Sequence, residues 1–341
     1  MRKLIFCGNP VIDIAWDKVL TFKDPGSIDG YTKVSVKTPA HTETTVDAKG
    51  VIHNTQVPAT YKADPAGKFR HGVRPWKETQ LRDEIRAVVM HHSVTYNTRD
   101  TNRVLIMRGL SLTFGIDDDG TIHQLMDIKE RDTSSSTMND RGISVEVANV
   151  VEPPKGFSWA KPPKGYEKRA IIEGPVHGVA RKSWAYTGVQ LEACGALAAA
   201  LCAYFPRMTP AWPGVWDNSL RDEVTKKQRW GIVGHLHFTS KAPQGKWDPN
   251  PAFPFKSVVR EARKSVAKDV LPRLIMGNAA TQDVQRGLQA LGYELESGAD
   301  GKAGKETDAA CALFMKEQGL ADQPFRNAYL VDALKLLLQE V

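Results

Sequence analysis

From Ile85 to about residue 260, short apolar runs of strand type alternate with helical runs, and that alternation leaves few options besides a layered α/β fold. RAVVMHHS has the pattern of a short buried strand. RVLIMRGLSLTFGIDDDGTIHQLM predicts a helical stretch followed by a hairpin that turns at Asp119-Gly120, and GISVEVANV is a further apolar strand. The spacing predicts a helix that opens at Thr187 and closes before Pro206. RWGIVGHLHF then gives a last strand, running into the loop KAPQGKWDPNPAFPF, whose prolines forbid regular structure.

The flanks differ in character. Residues 1–80 are polar and rich in Thr, Val, Pro and Lys, with YTKVSVKT and GVIHNTQVPATY alternating like short exposed strands; no chemistry attaches to them. Residues 151–188 are rich in Pro, Gly and Lys and are expected to form a surface loop, whereas 257–274 predict a basic connecting helix ending near Pro272. From Ile275 to Val341, six Lys and Arg face ten Asp and Glu, a net of −4 that leaves +11 on the first 274 residues of a chain carrying +7. That asymmetry and the pieces TQDVQRGLQALGY, KETDAACALFMKEQGL and NAYLVDALKLLLQ point to a small three-helix module.

Several classes are excluded. Cys7, Cys194, Cys202 and Cys311 form no C-x-x-C pair, so a zinc ribbon or a thioredoxin-like motif is not available, and Cys194 and Cys202 are expected as small core residues. No window reaches the roughly 18 apolar residues of a spanning helix, and no cleaved signal peptide is expected in MRKLIFCGNPVIDIAW. A nucleic-acid partner is not expected, because only the positive charge would argue for one.

Zinc hydrolysis needs three N, O or S ligands with an open position, a base, and a cation for the oxyanion. The candidates are His91 and His92 at a strand end, Glu146 within a strand, and the segment holding His235, His237, Lys246 and Asp248; with no HExxH, a helix-borne site is excluded. Neighbours on a strand point to opposite faces, so His91 and His92 cannot both face one metal. His237 could share the face of His235 if that strand continues, and is otherwise expected on the substrate side or at the surface. His123 is expected to be structural.

The ordered set VVMHHS, GIDDDGTIHQL, NDRGISVEVAN, a Gln-led apolar helix and GHLHF…GKWDPNPAFPF resembles the zinc-dependent N-acetylmuramoyl-L-alanine amidases over about 83–258. This fold is shared with peptidoglycan recognition proteins and many phage lysins. The resemblance implies an amidase-type mixed sheet flanked by helices, Zn²⁺ held by His91, His235 and Asp248, Glu146 as the base and Lys246 as the oxyanion cation. Leu112 and Thr113 stand where some relatives carry a tyrosine or histidine, and DTSSSTMND stands where many carry a Trp-His pair, which leaves substrate contact open.

VQRGLQALGY, the turn ADGKAGKET and ALFMKEQGL resemble a peptidoglycan-binding domain, with Asp300, Gly301 and Gly304 in the turn, Thr307 opening the next helix, and Leu288, Leu291, Phe314 and Leu320 as core. The implied division is an extension of unknown role, partly β, at 1–82, a zinc amidase domain at 83–258, a basic helical linker at 259–274 and the three-helix domain at 275–341. The two resemblances together imply a monomeric phage endolysin, made in a host cytoplasm, released with the help of a holin and acting on cell-wall peptidoglycan. A non-catalytic wall-binding protein and a resident wall-recycling amidase are the alternatives.

Overall fold

Four parallel strands make the centre of the molecule, and their apolar runs follow from burial on both faces of the sheet. The computed structural model describes residues 2–340 apart from 48, 50, 152–158, 160–161, 163, 228, 241–244, 277–279 and 321–327. Across the sheet the strands run Ile232–Gly234, Ala87–His92, Gly142–Val147, Phe114–Ile116, Ile122–Gln124 and Val19–Thr21. The first four are mutually parallel. Ile122–Gln124 turns back antiparallel to Phe114–Ile116, and Val19–Thr21 lies parallel to it at the edge, so the sheet is mixed. The expected turn at Asp119-Gly120 is present: Gly120 has φ +79°, and a Cβ there would stand 2.7 Å from Val189 Cγ2, so the position needs glycine twice over.

Helices flank this sheet, giving the mixed α/β architecture expected from the pattern. Gly188–Tyr204 opens with a capping box: Thr187 Oγ1 accepts from Gln190 N at 3.1 Å, and Gln190 Oε1 accepts from Thr187 N at 3.0 Å. Cys194 and Cys202 are buried in its core face as free thiols, beside Leu197 and Leu201. The basic stretch forms the helix Phe255–Ile275, which ends near Pro272 as expected, three residues beyond it. Pro272 sits in the last turn, where one missing N–H disturbs little that comes after. This helix does more than connect, since Val258, Ala262, Val266, Val270 and Leu274 are buried in the same core as Leu197 and Leu201.

Of the two flanking segments, the one at 151–188 departs from expectation. The N-terminal residues are not uniformly exposed: the hairpin Arg2–Phe6/Asn9–Ile14 buries Leu4, Ile12 and Ile14 in the main core, and Gln124 ties it down by accepting from Ile5 N at 2.8 Å and donating to Ile5 O at 2.7 Å. The hairpin His41–Val46/Ile52–Val57 does fit the reading, being exposed almost throughout. The stretch expected as a surface loop at 151–188 contains the ordered hairpin Ile171–Val176/Val179–Trp184; residues 152–158, 160–161 and 163 of that stretch lie outside the described residues. Gly174, Pro175 and Gly178 disguise it as a loop, although Ile171, Val176 and Val179 supply β-branched pairs.

Three helices, Thr281–Leu291, Lys305–Glu317 and Ala328–Leu338, close the chain. Leu288 and Phe314 are buried, with Leu291 and Leu320 packed against them. The Asp300-Gly301 turn is built around the buried amide of Gln285, which donates to Asp300 Oδ1, Lys302 O and Thr307 Oγ1 at 2.9, 3.1 and 2.9 Å and accepts from Gly301 N at 2.8 Å. Among the described residues no helix is long and apolar enough to cross a membrane.

Candidate metal centre

Parallel strands leave their carboxyl ends open to a ligand, and the candidate residues gather there. His91 is the penultimate residue of its strand and lies in register with Glu146 on the next. The strand Ile232–Gly234 stops beside Met90 and passes into a 3₁₀ turn that begins with His235. Asp248 comes from the following loop, which is tied to that turn because its carbonyl accepts from Leu236 N at 2.8 Å. The hairpin Ile171–Val176/Val179–Trp184 braces the same loop: the His177 ring donates from Nε2 to Lys246 O at 3.0 Å, and Ser183 Oγ donates to Asn250 Oδ1 at 3.0 Å.

Three ligand-type atoms converge. His91 Nδ1 lies 2.7 Å from Asp248 Oδ2, His235 Nδ1 lies 3.3 Å from His91 Nδ1, and His235 Nδ1 lies 3.5 Å from Asp248 Oδ2. All three side chains are buried. Four-coordinate zinc with bonds of about 2.0–2.1 Å holds its ligands roughly 3.3 Å apart, so the donor set and its spacing fit a metal. Burial would raise the Asp248 carboxyl, but the His235 and His91 imidazoles outweigh it and hold that carboxyl well below the usual range. Burial works to lower the His91 pKa, yet the hydrogen bond to Asp248 and the nearby Glu146 carboxylate raise it. These are the signs of a site arranged around positive charge.

Above the three atoms opens a groove of about 670 Å³, lined by His91, His92, Glu146, His235, Lys246 and Asp248 and by Arg108. Glu146 is half-buried in it, and its Oε2 has no hydrogen-bond partner among the described residues. Burial, opposed by His91, pushes its carboxyl up to about 7. Lys246 is exposed at the groove wall.

The remaining histidines have other places. His92 packs edge-on against Trp247 with ring centroids 4.6 Å apart, and burial takes its pKa down to about 4. His237 is neither at the surface nor on a continuing strand. The chain turns at Gly234, so His237 is buried, accepting from Gly234 N at 2.8 Å and donating to Val215 O at 3.0 Å. His123 is structural, its Nε2 lying 3.0 Å from Asp117 Oδ2. Sequence reasoning missed the groups behind His91: its Nε2 stands 3.2 Å from Ser135 Oγ, which touches Ser144 Oγ at 2.6 Å, and Ser144 is bound to Asp132. The available signal was Ser144, two residues before Glu146 on an alternating strand and therefore on the same face.

Residues 81–251, just over half of the chain, match the family described as N-acetylmuramoyl-L-alanine amidase (Amidase_2). No curated protein matches. Among solved structures, the chain is similar to a selenomethionine AmpD derivative, at 15% identity and TM-score 0.32 over 56% of this chain and 89% of that one. The endolysin amidase LysCS from Clostridium intestinale URNW aligns at 15% identity and TM-score 0.31, over 52% and 83%. AMPDH3 from Pseudomonas aeruginosa, solved in complex with anhydromuramic pentapeptide, aligns at 15% and 0.35, over 73% and 95%. On the extent of the family match, the chain belongs to the N-acetylmuramoyl-L-alanine amidase family.

Proposed function

We propose that this chain is a zinc-dependent amidase that cuts the bond between N-acetylmuramic acid and L-alanine in peptidoglycan, and that it works as a phage endolysin. The observation carrying the chemistry is the convergence of His91 Nδ1, His235 Nδ1 and Asp248 Oδ2 at the floor of a groove that also holds Glu146 and Lys246. Those three side chains would hold zinc, which when bound polarises a carbonyl and acidifies water at neutral pH. Glu146, with a carboxyl near 7 and a free oxygen, takes the proton of the attacking water and returns it to the leaving amine. Lys246 faces the oxygen on which negative charge develops. The buried pairings of His91, His235 and Asp248 keep the donors aimed before substrate arrives.

The endolysin role draws on the division of the chain into a catalytic domain and a binding module. Three helices at 275–341, packed on the catalytic body, would hold the enzyme on an insoluble polymer and raise its local concentration there. The excess of positive charge on the first 274 residues favours anionic envelopes. In this reading the protein is made in a host cytoplasm and meets the wall after release with the help of a holin. The test is mass spectrometry of products from purified sacculi, with native and chelator-stripped protein. Free L-alanine amines and lactyl carboxylates that appear only with zinc establish the amidase, while binding without such ends leaves a wall-binding protein. Faster turnover of intact sacculi than of soluble muropeptides supports the lysin; the reverse order assigns the protein to wall recycling.

A further inference from the structure

The groups behind His91 decide which of its two nitrogens carries hydrogen. Thr113, Asp132, Ser135 and Ser144 are all fully buried, so bulk solvent does not compete for their hydrogen bonds. Asp132 Oδ2 accepts from Ser144 N and from Thr113 Oγ1, each at 2.9 Å, while its Oδ1 accepts from Ser144 Oγ at 2.7 Å. A carboxylate only accepts, so the Ser144 hydroxyl hydrogen is committed to Asp132. Ser144 Oγ must then accept from Ser135 Oγ, 2.6 Å away, and Ser135 Oγ must accept from His91 Nε2 at 3.2 Å. The chain of donors runs in one direction, from imidazole to carboxylate.

We propose that Asp132, acting through Ser144 and Ser135, is a positioning residue that holds His91 in the Nε2–H tautomer and thereby presents Nδ1 to a metal. The inference rests on the reading of His91, His235 and Asp248 as zinc ligands. Three further hydrogen bonds fix the chain: Ser135 N donates to Asn139 Oδ1 at 2.7 Å, and the buried Arg74 guanidinium donates to Asn139 O at 3.1 Å and Gly142 O at 2.9 Å. Burial lowers the Arg74 pKa to about 10, and Asp132 is the first of the charges that oppose the fall. The line Asp248–His91–Ser135 also has the order of a serine nucleophile with its base. The direction of the chain argues against that role, because the Ser135 hydrogen is turned toward Ser144 and away from the ring.

The experiment uses the full chain, stripped of metal, and reads zinc affinity by competition with a chromophoric chelator, the cobalt(II) absorption spectrum, and the Tm of the stripped protein. Ser135→Ala is expected to weaken zinc binding by about 10- to 100-fold. Asp132→Asn is the sharper variant. Ser144 N and Thr113 select the amide oxygen at the Oδ2 position, which places the amide NH₂ against Ser144 Oγ and reverses every donor up to His91. Its zinc affinity is therefore expected to fall at least as far as that of Ser135→Ala, although Asp132 is two side chains further from the metal. A structural role would lower the stripped Tm and leave zinc affinity at the native value, and that result overturns the proposal. So does lost hydrolysis with native zinc affinity in Ser135→Ala, which would assign Ser135 to the substrate. If Asp132→Asn does not fold, Ser144→Ala breaks the same link, and native affinity there overturns the proposal equally. Native protein that takes up no zinc removes the zinc reading itself, and this proposal with it, before any variant is compared.

Discussion

Two of the clusters in which the molecule buries polar side chains differ in what is left over. Around Gln285 the two amide hydrogens are shared among three acceptors and the amide oxygen accepts a backbone N–H, so the cluster closes the Asp300-Gly301 turn upon itself. Around His91, two imidazole nitrogens and a carboxylate oxygen face one another, and Glu146 Oε2 has no hydrogen-bond partner among the described residues. The first cluster is complete without anything added, so it is structure. The second gathers two imidazole nitrogens and a carboxylate where they could hold a cation, beside a Glu146 oxygen left without a partner among the described residues, and that separates a candidate site from a scaffold.

Removing one acceptor from the open cluster should have the largest effect. In Asp248→Ala, zinc uptake measured by competition and hydrolysis of sacculi should both fall below detection, while the circular dichroism of the fold is kept. Glu146→Gln should keep zinc and lower kcat by about 10²- to 10⁴-fold, since only proton transfer is removed. Lys246→Ala should lower kcat by about 10²- to 10³-fold at native zinc affinity. In the closed cluster, Gln285→Leu strands buried donors and acceptors and should cost about 2 kcal/mol in denaturant unfolding. It should leave zinc affinity and turnover of a soluble muropeptide unchanged, and a loss of zinc there would erase the distinction between the clusters.

Two smaller effects sharpen the contrast further. Burial acts to raise the Asp117 carboxyl, but hydrogen bonds from His123 and Thr98 outweigh it and hold the carboxyl below its usual range. A depressed carboxyl stabilises the fold above its unfolded pKa of about 3.9, and that stability is lost as pH falls through the folded value. Asp117→Asn should therefore unfold more readily at pH 7 and show a flatter loss of stability below about pH 4 than the native chain. Ile52→Thr, on the exposed hairpin, should shift stability by no more than about 0.5 kcal/mol.

Much of the framework was legible because its signals are local. Thr187 and Gln190 form a capping box readable within four residues, Asp119-Gly120 marks its own turn, and the strand around Glu146 alternates. The edge strand Val19–Thr21 was not legible, because three residues carry no period and its partner lies a hundred residues on. Ser135 and Asp132 escaped for a related reason, since a hydrogen-bond chain through a loop leaves no spacing to read; only Ser144 carried a signal, its place on the Glu146 face of an alternating strand. The hairpin at 171–184 was hidden by glycine and proline, which signal loops whether or not strands flank them. The closeness of His91, His235 and Asp248 was foreseen through family resemblance alone, since neither periodicity nor spacing brings residues so remote in sequence together.

That remoteness has a consequence during synthesis. His235 follows His91 by 144 residues and Asp248 follows it by 157. A ribosome that has delivered the sheet's first five strands has not yet made His235 or Asp248, so a chain arrested or cleaved there lacks two of the three residues of the candidate metal centre. On the proposed function, the metal centre would come into being only with the loop that completes it, and unfinished copies would carry no wall-cutting activity.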